Sequence, residues 1–383
     1  MSDASREPAN TPSPGDKGKR LLIVLPTWIG DAVMATPALH RLRTALPGYF
    51  IGGLSRPGPH TLLERQGQPV PGSDEPLLDE LHIDRRAGIM GPKKAAAKLR
   101  ARRYDHALLL SNSFSAALAV RMAGVPERTG YDRDGRGFLL TQRLTAPKRP
   151  DGKWALISAV RYYHDAADAL LNALDQDAER FPLGPMRLPL GAREQDAADE
   201  VLASAGFAAD EPFAILNPGG NNPAKRWPPD RFAALAKHLH GTHGLRCVVS
   251  GSPGDSELCA HIAGMSDGNA ASLPQLGLSI PALKSLAQRA RVMITNDTGP
   301  RHIAAAFATP LVSLFGPTDH RWTTIPTHQG APEIILVADP TLPESESSND
   351  HPERCAVDQI TLERVAEASD RIISGEQTES IVA

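Results

Sequence analysis

The chain has 383 residues, 41% of them hydrophobic and 22% charged, with a formal net charge of −3. That length accommodates two domains with separate cores, the composition is that of a globular protein, and the charge balance supplies no global basic field for nucleic acid. No apolar run approaches a membrane span, so any membrane contact is expected to be peripheral.

Met1 to Arg20 is polar and rich in Ser, Pro, Asp and Gly, without the apolar stretch of a signal peptide; a disordered tail is expected. Leu21–Leu25 is a continuous aliphatic run, as in a buried parallel strand. It ends at Pro26-Thr27-Trp28-Ile29-Gly30-Asp31, and Thr36-Pro37 opens a helix that Pro47-Gly48 stops. GxGxxG is absent, which argues against a nicotinamide or flavin site. Phe50–Leu54 reads as a second strand, and residues 85–103 as a basic, solvated helix. Tyr104–Leu110 contains a strand running into Ser111-Asn112-Ser113-Phe114-Ser115, whose small polar residues either meet a ligand or cap the following helix. Arg121, Arg128, Arg133 and Arg136 cluster in a glycine-rich segment, which suits either an anionic substrate or an exposed charged loop. Val160, Tyr163, Ala167, Leu170 and Leu174 have helical spacing. A Pro-rich linker, Phe181–Leu190, and a helix from about Arg193 to Ala205 mark the domain boundary. The first domain is therefore expected over 21–185, with the linker and its helix over 186–210.

The second half, 211–340, repeats the alternation. Strands are expected at Phe213–Leu216, Leu245–Val249, Val292–Ile294 and Leu311–Phe315. Cys247 falls in one of these and Cys259 in a helix, so buried free thiols of a reducing compartment are expected. In Thr295–His302, Thr298 is placed to cap a helix, Gly299 to let a ligand approach the backbone, and Pro300 to begin the first turn. Such a turn offers unpaired N–H groups to an anion. The segments beginning at Asn217, Ser250, Thr295 and Phe315 share one edge if the sheet is parallel. With Ile29-Gly30-Asp31 in the other half, they suggest two α/β domains facing one cleft. Residues 341–383 read as a mobile acidic crossing and a final helix, Leu362–Ile373, packing back on the first domain.

Lys225, beside Gly219-Gly220, suits a diphosphate or is simply solvated. Asp255 and Glu257 either bind ribose hydroxyls or cap a helix. Asp31, at a helix start, is expected to be ionised; it is either a cap or a general base on the cleft rim, worth roughly 10²–10⁴-fold in rate. An ordinary Asp, with pKa about 3.9, is a weak base, so its electrophile must already be activated, as in a sugar bearing a diphosphate. No carboxylate pair stands at a strand end to hold a metal.

Leu25-Pro26-Thr27-Trp28-Ile29-Gly30-Asp31, Asn217-Pro218-Gly219-Gly220, Pro223-Ala224-Lys225-Arg226-Trp227-Pro228 and Asn296-Asp297-Thr298-Gly299-Pro300-Arg301-His302 together resemble the ADP-heptose:lipopolysaccharide heptosyltransferases of glycosyltransferase family 9. Ser111-Asn112-Ser113-Phe114 and Arg128-Thr129-Gly130-Tyr131 are more similar to the heptosyltransferase II branch. The resemblance runs from Leu21 to Pro317. It implies a GT-B architecture of two Rossmann-like domains, the acceptor on the first and the sugar nucleotide on the second. It implies inverting transfer of L-glycero-D-manno-heptose from ADP-heptose to the inner-core heptose of lipopolysaccharide, with Asp31 as base and no cofactor or metal. The donor site then holds Gly30, Asn221, Asn222, Lys225, Asp255, Glu257, Asp297, Thr298, Gly299 and His302. The anionic glycolipid acceptor meets Asn112, Ser113, Arg128, Arg133 and Arg136. A cytoplasmic monomer in peripheral contact with the inner membrane is expected. Pro300-Arg301 departs from the Leu-Met or Leu-Ser usual there and adds a cation near the donor; the tail and Thr341–Arg354 have no counterpart. The alternatives are a family 9 relative with another donor or acceptor, and a non-catalytic sugar-nucleotide-binding protein.

Overall fold

A computed structural model describes residues 18–64, 76–86, 88–180, 182–326, 332–376 and 381–382. Most of the expected tail therefore lies outside the described residues, although Arg20 already begins a strand. Two parallel sheets organise the chain. The first contains β1 (Arg20–Val24), β2 (Phe50–Ser55), β3 (Glu80–Ile83), β4 (His106–Leu109), β5 (Glu127–Tyr131) and β6 (Gln142–Leu144), in the order β3-β2-β1-β4-β5-β6. The second contains β7 (Phe213–Asn217), β8 (Arg246–Val249), β9 (Ala270–Ser272), β10 (Val292–Asn296), β11 (Leu311–Phe315), β12 (Glu333–Val337) and β13 (Ile381–Val382), in the order β13-β12-β11-β10-β7-β8-β9. This is the expected GT-B arrangement of two Rossmann-like units.

In each sheet the chain starts near the middle, builds outward, and then crosses to the other side. The reversals fall between β1 and β4 and between β7 and β10. Loops leaving neighbouring strands diverge at such points and open a crevice beyond the carboxyl ends of the strands. The crevices receive Pro26–Asp31 and Leu110–Ser113 in one unit, and Asn217–Pro228 and Asp297–Gly299 in the other.

The central strands are buried from end to end in β7, β10 and β11, which explains their unbroken aliphatic sequences. One apolar cluster passes from Leu21, Val33 and Leu39 of the first half through Ile303, Leu283 and Phe213 of the second. The helix Ala192–Ser204 contributes by packing along Ile280–Arg289 of the second half. Cys247, Cys259 and Cys355 are free and buried. Among the described residues no helix is long and apolar enough to cross a membrane.

The end of the chain departs from expectation. The helix Leu362–Ile373 lies on β10, β11, β12 and the helix Pro229–His243, within the second unit. Its stripe of Val365, Ala368 and Ile372 completes the cluster around Phe232 and Leu239, and Asp370 accepts hydrogen bonds from His238 and His243 on the same surface. The acidic segment before it is also engaged. Arg321 donates to the carbonyls of Glu344 and Glu346, Asp319 Oδ2 accepts from the amide of Ser348, and Asp350 reaches Arg149 and Lys153 of the first half.

Trp227 anchors this carboxy-terminal layer: it is buried, and its indole N–H donates to the Ile360 carbonyl at 2.7 Å. Trp227→Ala removes both the packing and the hydrogen bond. It is expected to cost about 3–5 kcal/mol, read as a lowered midpoint in urea denaturation.

Candidate active site

The crevice of the second unit is built by two buried asparagines at strand ends. Asn217 Nδ2 donates to Thr295 Oγ1 at 2.9 Å and Thr298 Oγ1 at 2.8 Å, while its Oδ1 accepts from Ser250 Oγ at 3.1 Å. One side chain thus ties β7, β8 and β10 where their backbone ladders end. Asn296 Nδ2 donates to the Pro218 carbonyl at 2.8 Å, and its Oδ1 accepts from the Trp227 amide at 3.3 Å. These bonds satisfy buried polar groups and pin the 218–227 loop beside the 297–299 turn. Thr298 occupies the cap position of the helix Gly299–Ala306, but its hydroxyl accepts from Asn217 and donates to the Asn296 carbonyl at 3.3 Å, with no side-chain cap bond.

Lys225 Nζ donates to Asp297 Oδ2 at 3.1 Å, and Thr318 Oγ1 donates to the same oxygen at 3.1 Å. Burial alone would raise the Asp297 carboxyl, yet the positive charges of Lys225 and Arg301 hold it below the usual carboxylate range. His302 is buried beside it, and burial together with Arg301 pushes its imidazole down to about 3, so the ring is neutral near pH 7. Its Nδ1 has no hydrogen-bond partner among the described residues.

The first unit closes onto this turn. A Cβ on Gly30 would lie 2.8 Å from His302 Cδ2 and 3.4 Å from Gly299 Cα. The His302 ring thus takes the space a side chain at residue 30 would need, whereas a Cβ on Gly299 would meet Gly30 N and Ile29 at 3.4 Å, an ordinary contact. One residue along, Asp31 sits in the first turn of Ile29–Met34 and accepts from Tyr163 Oη at 2.9 Å. Its pKa is raised: burial is the main cause and the facing Asp297 adds to it, against the Tyr163 hydrogen bond, which lowers it. The expected electrostatic stabilisation at the helix start is therefore outweighed by desolvation, and Asp31 is a stronger base than an exposed aspartate.

Residues 93–351 match the family model for glycosyltransferase family 9 (heptosyltransferase). The chain belongs to glycosyltransferase family 9. It is 30% identical over 328 residues to lipopolysaccharide heptosyltransferase 2 of Escherichia coli K12, covering 81% of this chain and 86% of the relative. The Salmonella typhimurium enzyme of the same name is 29% identical over 328 residues, with the same shares covered. Among solved structures, a family 9 glycosyltransferase from Veillonella parvula superposes with a TM-score of 0.75 at 20% identity, over 93% of this chain and 97% of the other. The structure of E. coli ADP-heptose lipopolysaccharide heptosyltransferase II gives 0.73 at 24% identity, over 94% and 100%.

In this glycosyltransferase the residues expected at the acceptor behave unequally. Arg136 is fully buried and donates to the carbonyls of Tyr131 and Ser111 and to Asn112 Oδ1. Arg128 donates to the carbonyls of Leu139, Val125 and Pro126. Both guanidinium groups hold the chain's own loops, because their neighbouring turns leave carbonyls without ladder partners. Asn112 Oδ1 also accepts from Tyr162 Oη at 3.1 Å, and Ser113 caps its helix through the Ala116 amide. Arg133 stacks over the Trp154 ring at 4.1 Å. In the second unit Asp255 accepts from the amide and hydroxyl of Ser252, with Arg226 at 3.5 Å; it precedes the helix Ser256–Gly264 without a side-chain cap bond to it. Asn222 caps Ala224, whereas Asn221 and Glu257 are exposed. Arg301 is buried and paired with Glu333 at 2.8 Å, so its cation lies beneath the turn rather than at the crevice, acting on Asp297 and His302 through its field.

Tyr163, Thr318 and Thr323 join the site without having been singled out for it. Tyr163 has the spacing of an ordinary core position, and only the packing of its helix aims the hydroxyl at Asp31. Gly30→Ala tests the close approach: the added methyl must displace His302 and is expected to cost about 1–3 kcal/mol, read as a lowered Tm. An unchanged Tm would contradict the contact.

Proposed function

We propose that this glycosyltransferase moves L-glycero-D-manno-heptose from ADP-heptose to the inner-core heptose of lipopolysaccharide with inversion at the anomeric carbon. The observation that carries the reading is the meeting of Asp31 with the Lys225–Asp297–His302 group across one closed crevice. The names of the relatives, lipopolysaccharide heptosyltransferase 2 and ADP-heptose heptosyltransferase II, support the choice of sugar and acceptor.

The acceptor hydroxyl attacks C1 of the donor sugar as the bond from C1 to the diphosphate breaks. Asp31 takes the hydroxyl proton. Its burial raises its basicity, and Tyr163 holds one carboxylate oxygen so that the other is left for the substrate. The departing ADP carries the bonding electrons. Lys225 and the amides opening the helix Gly299–Ala306 meet that charge. Asp297, kept ionised, accepts hydrogen bonds from sugar hydroxyls, and the neutral His302 packs buried behind it against Gly30. No step uses a cofactor or a metal.

On this reading residues 21–185 receive an anionic glycolipid acceptor and 211–340 the ADP-sugar. Arg133, Asn112 and Ser113 remain the acceptor-side candidates. The enzyme works as a monomer at the cytoplasmic face of the inner membrane, in peripheral contact with lipid.

Asp31→Ala is expected to leave ADP-heptose binding intact by calorimetry while transfer falls at least about 10²-fold; undiminished transfer would remove the base assignment. Lys225→Ala is expected to weaken ADP-heptose binding, and tighter binding of a uridine or guanosine sugar would redirect the donor. The pH profile is a separate check. Because the active base is the ionised form, kcat/KM rises with pH through the elevated Asp31 pKa. Tyr163→Phe deletes a hydrogen bond that favours the ionised form, so that limb should move to higher pH.

A further inference from the structure

We infer that Arg301 is a positioning residue for the donor site, holding the Asp297 carboxylate in register through the hydroxyl and carbonyl of Thr323. The inference rests on the assignment of Asp297 to the donor site. Arg301 follows Gly299 by two residues in the helix Gly299–Ala306, but its side chain runs beneath the turn to the middle of β11 and the start of β12. There Nε donates to Glu333 Oε1 at 2.8 Å and lies 3.0 Å from Ser313 Oγ. Ser313 itself donates to Glu333 at 2.6 Å. The register pairs Leu311 with Glu333, so Ser313 and Glu333 project on the same side of adjacent strands. The guanidinium lies over the Phe315 ring at 4.9 Å. Arg301, Glu333 and Ser313 are all buried.

A buried ion pair is a poor source of stability, since apolar residues of similar size usually do as well. What it supplies here is direction. Nη1 donates to the Thr323 carbonyl at 2.8 Å and reaches Thr323 Oγ1 at 3.4 Å. That hydroxyl then donates to Asp297 Oδ1 at 3.3 Å. A hydroxyl carries one donor and two acceptor positions; with Arg301 on the accepting side, its proton is committed to Asp297. Lys225 and Thr318 occupy the opposite oxygen, Oδ2. Asp297 is thus held at both oxygens, and one of the two holds depends on a cation that does not itself face the crevice. The segment carrying Thr318 and Thr323 runs outside the strands; Asp319 and Arg321 tie its flank to residues 344–348, and Arg301 holds the Thr323 carbonyl itself.

The test compares the full chain with R301M/E333M, T323V and the triple variant, using calorimetry with ADP-heptose and steady-state kinetics. Removing both charges together avoids leaving Glu333 buried alone. R301M/E333M and T323V are each expected to weaken donor binding roughly 10-fold, the equivalent of one charge-assisted hydrogen bond. The triple variant should be no weaker than either, because both act on one relay. The effect should appear in the donor KM with kcat nearly unchanged, since Asp31 is untouched. A purely structural pair would lower Tm and leave KM alone. Native affinity in R301M/E333M, or losses that simply add in the triple variant, overturns the inference. Should R301M/E333M fail to fold, T323V alone decides: native affinity there overturns it as well. D297N and K225A separate the two levels, for native donor affinity in both would remove the donor-site reading itself and the inference with it.

Discussion

The contact between Gly30 and the Gly299–His302 turn is the constraint on which the rest of the molecule depends. Two units with their own sheets meet where the first helical turn of one touches the first helical turn of the other, Gly30 against the His302 ring and Gly299 against Ile29. This approach buries His302, withdraws Asp31 partly from solvent and brings it within electrostatic reach of Asp297. Neither half holds a desolvated carboxylate of raised pKa facing a cation-stabilised one by itself. That pairing is a property of the closed crevice.

The two aspartates illustrate how environment divides labour between identical groups. Both are partly withdrawn from solvent, and that desolvation raises both. Asp297 is surrounded by Lys225 and Arg301 and ends below the ordinary range, whereas Asp31 has a phenol for a partner and Asp297 for a neighbour, and ends above it. A phenol can steady a carboxylate without cancelling its charge, which suits a group that must accept a proton. An ammonium cancels the charge locally, which suits a group that must stay ionised beside a diphosphate.

The segment from Asp339 to Arg354 adds a second crossing between the units. Asp350 reaches Arg149 and Lys153, while Asp319 and Arg321 bind the backbone of 344–348 and support the segment that carries Thr318 and Thr323. Acidic composition suggested a mobile connection because isolated charges prefer water. Here Asp350 meets Arg149 and Lys153 while Arg321 takes the carbonyls of Glu344 and Glu346, and a solvated strip becomes a strap. The exposed ion pairs in it are individually weak, so the backbone hydrogen bonds to Arg321 and Asp319 give it most of its definition.

Much of the architecture was legible from the chain. Aliphatic runs such as Leu21–Leu25 and Val292–Ile294, each followed by Gly, Pro and small polar residues, have few uses outside a buried parallel strand that ends at a ligand crevice, and the motifs at Asp31, Lys225 and Asp297 fell where these strands end. The short or charged strands, β3, β5, β6, β9 and β12, were not legible, because Glu127-Arg128-Thr129-Gly130-Tyr131 and Glu333–Val337 acquire strand geometry from neighbours already in place. The fate of each charged side chain was also undetermined. Arg128, Arg136 and Arg301 read as cations offered to a ligand, yet the first two bind loop carbonyls and the third a buried glutamate. Strand burial and turn chemistry are largely local and follow from residue type. The partner of a long, flexible guanidinium is whichever acceptor the tertiary fold brings within reach, and only the packed structure decides that.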